Sequence, residues 1–140
     1  MKIKLTLFFL LLSALTVSAQ LSDYYNLKDV KKYRFDKLSI GNASDASKFA
    51  KNASEYNFIS GLKIEGVVNL PSILNSTRGF YELNELNLKN YTGDYADNAF
   101  DSCTEIEVLH LSVPESKLHQ LSFLSHLKKL TTLYLYIQGK

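Results

Sequence analysis

Leu83-Asn84-Glu85-Leu86-Asn87-Leu88 sets three leucines at positions 1, 4 and 6 of a hexamer, with polar residues between them. Positions 4 and 6 point to one side of a short strand, because successive side chains alternate across it, and position 1 enters the same side from the preceding loop. The spacing occurs upstream in Phe35-Asp36-Lys37-Leu38-Ser39-Ile40 and Ile59-Ser60-Gly61-Leu62-Lys63-Ile64. It occurs downstream in Ile106-Glu107-Val108-Leu109-His110-Leu111 and Leu130-Thr131-Thr132-Leu133-Tyr134-Leu135. The starting positions 35, 59, 83, 106 and 130 are 24, 24, 23 and 24 residues apart. A single such hexamer is weak evidence, whereas five at a near-constant interval make an internal repeat. The chain between hexamers is too long for a hairpin, so the strands are predicted to run parallel, with the return segments behind them. Each unit then buries its apolar edge only against its neighbours.

The return segments carry apolar residues of their own. Ala46, Phe49, Ala50 and Ala53 follow a helical spacing after Ser44, a candidate N-cap. Leu70, Ile73 and Leu74 flank Pro71, which suits the first turn of a short helix. The third return segment contains Asp97-Asn98-Ala99-Phe100-Asp101-Ser102-Cys103. In the fourth, Leu118, Leu121, Leu124 and Leu127 lie three apart after Pro114, which suits a 3₁₀ turn. Before the first hexamer, Leu21, Tyr24, Leu27, Val30 and Tyr33 also fall three apart, with Ser22 or Asp23 to cap them. Residues 20–34 are therefore predicted to form a helical cap over the first unit. The expected fold is an α/β repeat solenoid with five short parallel strands, a period of about 24 residues, and helical or 3₁₀ returns.

The spacing resembles that of the leucine-rich repeats over residues 35–140. More narrowly, Ala99-Phe100-Asp101-Ser102-Cys103-Thr104-Glu105-Ile106-Glu107-Val108-Leu109-His110-Leu111 is similar to the BspA-type subclass. That subclass carries Ala-Phe-x-x-Cys before an apolar 1-4-6 strand, often with a proline soon after, and Pro114 matches. Gly79-Phe80 keeps part of the motif, while the fourth unit reads as an ordinary leucine-rich turn. Many leucine-rich repeats place Asn at position 9, where this chain has Ala43, Val67, Tyr91 and Pro114. The resemblance implies a secreted or cell-surface protein that recognises proteins or glycans, and it carries over no catalytic residue.

The two ends of the sequence qualify this reading. Met1-Lys2-Ile3-Lys4 is basic, Leu5 to Val17 is apolar apart from Thr6, Ser13 and Thr16, and Val17-Ser18-Ala19 supplies small residues. That order is the one signal peptidase reads, so residues 1–19 are expected to be a leader cleaved after Ala19. The thirteen apolar-run residues rise about 20 Å as a helix, short of a hydrocarbon core of about 30 Å, so a membrane span is not expected. The expected location is outside the cell, at its surface or in the periplasm. At the other end, no return segment or capping helix follows the fifth hexamer before Lys140. Either these residues belong to a longer array that acts in spacing, or the bare fifth strand is a surface for self-association.

Of 16 Lys and Arg, two (Lys2 and Lys4) lie in the leader, which leaves 14 against 14 Asp and Glu. A neutral mature chain argues against nucleic acid as a partner, since phosphate binding needs a clustered basic excess. Lys28, Lys31, Lys32 and Arg34 are the one basic cluster, diluted by Asp29 and Asp36.

The row of outward strand positions is the most informative surface. Position 3 carries Lys37, Gly61, Glu85, Val108 and Thr132; position 5 carries Ser39, Lys63, Asn87, His110 and Tyr134; position 7 carries Gly41, Glu65, Lys89, Ser112 and Tyr136. The candidate ligand-binding residues are Lys63, Glu65, Asn87, Lys89, His110, Tyr134 and Tyr136, because tyrosine joins large area to a polar tip. The alternative for Tyr134 and Tyr136 is that further repeats or a partner subunit cover them. Cys103 reads as a small buried residue filling a turn. His110, His119 and His126 do not converge, and Asp94, Asp97, Asp101 and Glu105 lack the spacing of a calcium loop, so no metal and no cofactor are expected. No nucleophile elbow, phosphate loop or paired catalytic carboxylates appear, so no enzyme is expected. Asn42, Asn52, Asn75 and Asn90 begin Asn-x-Ser/Thr sequons, which this composition produces readily by chance.

Overall fold

A computed structural model describes residues 2–4, 23–66 and 68–139. The predicted leader cleavage point after Ala19, together with Leu21 and Ser22, lies outside the described residues.

All five hexamers form neighbouring parallel strands. They are β2 (Lys37–Ile40), β3 (Gly61–Ile64), β4 (Glu85–Leu88), β5 (Val108–Pro114) and β6 (Thr132–Gln138). Lys37 pairs with Gly61, Gly61 with Glu85, Glu85 with Val108 and Val108 with Thr132, so the register advances by the spacing of the hexamers. Position 2 of each hexamer adds a second link. The Asp36 carbonyl accepts from the amides of Ser60 and Gly61, Ser60 from Asn84 and Glu85, Asn84 from Glu107 and Val108, and Glu107 from Thr131 and Thr132, at 2.7–3.1 Å. Each strand start is thereby pinned to the unit before it, and the backbone groups entering the sheet are satisfied. This shared carbonyl ties successive strands together.

The fold is α/β with an open sheet of order β1-β6-β5-β4-β3-β2. The sixth strand, β1 (Lys2–Lys4), was not predicted: it lies antiparallel along the outer edge of β6. The fifth strand is therefore not bare in this chain. In the sequence Lys2-Ile3-Lys4 reads as the basic start of a leader, and three residues are too few to show an alternation.

The segments between strands are helices α1 (Leu27–Tyr33), α2 (Ala43–Lys51) and α3 (Leu70–Ser76), with 3₁₀ segments at Ala53–Tyr56 and Glu115–His126. Asn26 caps α1, accepting from the Asp29 amide at 2.9 Å, while its own amide donates to the Asp29 carboxylate at 2.9 Å. Asn42 and Asp45 repeat the arrangement at α2, so Asn42, not Ser44, is the cap. Such a cap is worth about 1 kcal/mol. The predicted cap helix is correspondingly shorter: Tyr24 precedes it, and Tyr33 is 54% exposed. Residues around Ala99–Cys103 form turns rather than a helix.

Inward strand residues and return segments share one core. Leu38, Ile40, Leu62, Ile64, Leu86, Leu88, Leu109 and Leu111 are fully buried. Behind them Phe49 meets Phe80 edge-on at 6.2 Å, and Phe100 stacks on Phe123 at 4.9 Å. Full burial of each such side chain stabilises the fold by about 1.5–3 kcal/mol. Ala99, Phe100 and Cys103 are all buried, and burial pushes the Cys103 thiol up to about 12. Among the described residues no helix is long and apolar enough to cross a membrane.

Candidate functional site

With the apolar positions turned inward, the alternation of each strand sends positions 3, 5 and 7 to the opposite face. There the sequence's mixed charges and rings become a single connected surface.

Its centre is Glu85 at position 3 of β4. Lys37, at the same position of β2, reaches it across the intervening strand: Lys37 Nζ lies 2.6 Å from Glu85 Oε2. The residue between them is Gly61, and the absence of a side chain there makes the crossing possible. A Cβ on Gly61 would lie 3.2 Å from Lys37 Cδ and 3.4 Å from a ring carbon of Tyr24. On the other side His110 Nε2 lies 3.5 Å from Glu85 Oε1. Burial by itself raises the Glu85 carboxyl, but the hydrogen bonds from His110 and Lys37 and the charge of Lys37 outweigh it, and the group falls to about 2.

Tyr24 closes this centre from above. Its ring lies between two ammonium groups, Lys37 Nζ at 5.5 Å and Lys63 Nζ at 5.9 Å from the centroid. Its hydroxyl is buried and makes no hydrogen bond of good geometry, although it is near enough to Glu85 and Asn87 to be coupled to them. Burial, with the Glu85 charge next, pushes that hydroxyl far above the usual tyrosine range. The neighbouring Tyr25 holds the segment in place by bridging to β2: its amide donates to the Lys37 carbonyl and its carbonyl accepts from the Ser39 amide.

Two groups flank the centre. Toward β2, Lys63 pairs with Glu65 at 2.8 Å and Glu65 accepts from Asn90 at 3.3 Å. The Lys63 hydrogen bond, helped by Asn90, holds the Glu65 carboxyl below the usual carboxylate range against a smaller burial effect. Toward β6, the His110 ring stacks on Tyr134 at 4.4 Å with planes 12° apart, and Tyr136 lies nearly parallel at 6.4 Å. Lys89 sits over the Tyr136 ring at 4.8 Å. The stack follows from the register, because His110 is directly opposite Tyr134 and Ser112 opposite Tyr136. Asn87 turns its side-chain oxygen to the Lys89 amide at 3.1 Å.

All seven predicted residues, Lys63, Glu65, Asn87, Lys89, His110, Tyr134 and Tyr136, thus lie on one face of the sheet. The candidates leave out the three that join them: Lys37 and Glu85, which the sequence places in the outward row at position 3, and Tyr24. Opposite charges in the same row, two units apart and separated by glycine, were the available signal for the Lys37–Glu85 pair. Tyr24 had none, since its threefold spacing matched a helix it does not join.

Elsewhere, a surface groove of about 430 Å³ runs between α1 and α2 past Lys28, Lys31, Asp45, Lys48 and Glu55. Its charges alternate in sign, and Lys31 is tied to Glu55 at 2.6 Å, so it offers an ion no uniform field. His126 is paired with Asp101 on the return side, far in sequence from the His110 network. Among the described residues no three His, Cys, Asp or Glu side chains are grouped to hold a metal ion. No protein-family profile, curated protein or solved structure matches this chain.

Proposed function

We propose that the chain is a secreted or cell-surface leucine-rich-repeat solenoid that binds an extracellular protein or glycan through the outward face of β2 to β6. The repeat reading is supported by a register that advances 23 or 24 residues at every strand, and by the position-2 carbonyl shared between consecutive units. The BspA-type likeness is supported by the joint burial of Ala99, Phe100 and Cys103, which is what a small-aromatic-thiol turn motif needs.

One observation carries the binding reading. Charged and aromatic groups on the outward face are held in fixed positions by one another, around a half-buried Glu85 that touches Lys37 and His110. Such groups lose little further side-chain freedom when a ligand arrives, so the entropy cost of recognition is small. Carboxylate, ammonium, amide and phenol groups side by side suit the mixed donors and acceptors of a protein surface or a sugar ring. The balance of Lys63 and Lys37 against Glu65 and Glu85 does not suit a polyanion. No residue on the face is arranged as nucleophile and base, and we assign no catalytic activity.

Fluorescently labelled secreted protein should bind cell surfaces or extracellular matrix. His110→Ala and Tyr134→Ala should each weaken that binding about tenfold, the effect of truncating an interface anchor worth about 1.4 kcal/mol. Unchanged circular dichroism would show that the variants remain folded. Binding that survives both changes would move the site off the strand face.

A further inference from the structure

A hollow of about 130 Å³ opens between the third and fourth return segments, at the end of β5. Its floor is apolar. Val113 contributes from the strand, Leu121 and Phe123 from the 3₁₀ segment, and Tyr95 from the loop after β4. The aromatic wall is held in place: the Tyr95 ring lies 5.7 Å from Phe123, and its hydroxyl donates to the Ser112 carbonyl at 3.1 Å. The polar atom of that ring is therefore already satisfied.

The rim is charged. Asp94 and Lys117 form an ion pair there, and their side chains stay open to water, 84% and 40% exposed. Gln120, also at the opening, is exposed and leaves the helical range at φ −98°, ψ 17°, which bends the 3₁₀ segment beside the hollow.

We propose that this hollow binds a free amino acid with a branched aliphatic or aromatic side chain. The side chain enters the apolar floor, the α-ammonium group meets Asp94 and the α-carboxylate meets Lys117.

Size sets the inner part of the ligand. An apolar protein cavity of about 150 Å³ takes up benzene, so the space here suits a leucine, isoleucine or phenylalanine side chain. A sugar ring would press unsatisfied hydroxyls against the same floor. Charge sets the outer part. The rim carries one positive and one negative group in contact, so a ligand with a single charge is attracted by one and repelled by the other. A zwitterion laid head-to-tail across the pair satisfies both. A residue within a peptide lacks both charges and a terminal residue lacks one, which leaves the free amino acid. None of the lining residues belongs to the outward row of the strand face, so this site stands apart from the function proposed above.

The test is isothermal titration calorimetry on the full chain. L-Leucine or L-phenylalanine should bind saturably, one molecule per chain, with Kd at or below about 1 mM. L-Alanine, which lacks most of the side chain, should bind at least about tenfold more weakly. Isopentylamine keeps the leucine side chain and the ammonium but has no carboxylate. It should bind about fivefold more weakly than L-leucine, the upper end of what an exposed ion pair contributes. Lys117→Met should remove that advantage, weakening L-leucine by the same factor while leaving isopentylamine no weaker. Asp94→Asn gives an independent check, since it should weaken both; unchanged circular dichroism would show each variant to be folded. No saturable binding of either amino acid, toluene binding as tightly as L-phenylalanine, or an L-leucine affinity that both variants leave unchanged would overturn the proposal.

Discussion

Replacing Glu85 by Gln keeps the shape of the side chain and removes its charge, which isolates what the carboxylate does between Lys37 and His110. In the folded chain Glu85 titrates at about 2, against 4.5 for an ordinary glutamate. That difference corresponds to about 3 kcal/mol in favour of the folded, ionised form. The side chain keeps 22% of its exposure, so water screens part of this, and the substitution should cost between about 1 and 3 kcal/mol at neutral pH. The sign of the pH dependence follows from the depressed value. The stabilisation is fully present above pH 4.5 and is lost as the pH falls through the folded value near 2. Urea unfolding followed by circular dichroism, run on both proteins from neutral pH downward, should show a gap that is constant above pH 4.5 and then narrows. An equal stability at neutral pH, or a gap that does not change on acidification, would refute the account of Glu85 as a charge held by its neighbours.

Phe100→Ala should be far more damaging than any change on the strand face. The ring is 1% exposed and stacked on Phe123, so the variant should lose about 3–5 kcal/mol in the same denaturation assay, and a loss under 1 kcal/mol would show that the turn collapses around it. Cys103, buried and pushed up to about 12, should resist iodoacetamide in the folded protein at neutral pH and react on unfolding; rapid labelling of the native chain would contradict its burial.

The sheet was legible because its signal is redundant. Five hexamers each state the same alternation, and their spacing states which residues lie side by side, so Lys37, Gly61, Glu85, Val108 and Thr132 could be aligned before any coordinates. The helix starts were legible in principle through Asn26-x-x-Asp29 and Asn42-x-x-Asp45, reciprocal caps that a search for Ser or Thr passes over. One feature lay beyond a neighbour-by-neighbour reading, and another had no local signal at all. The Lys37–Glu85 contact skips a strand, which pairwise reasoning between neighbours does not reach. Tyr24 lies on the strand face because Tyr25 happens to bridge to Leu38, a tertiary contact that no local period encodes. The site was therefore recovered as a row of positions, while the buried centre that fixes those positions came only from the fold.

The 24-residue step also sets how the chain can be made. β3, β4, β5 and β6 each dock on a strand that left the ribosome one unit earlier, so no closure along the parallel array spans more than about two dozen residues. Synthesis and stacking run in the same direction, and each new unit meets a finished template as it emerges. β1 alone breaks this order. Among the described strands it is made first and its partner β6 last, so their pairing must wait until the parallel array has been assembled.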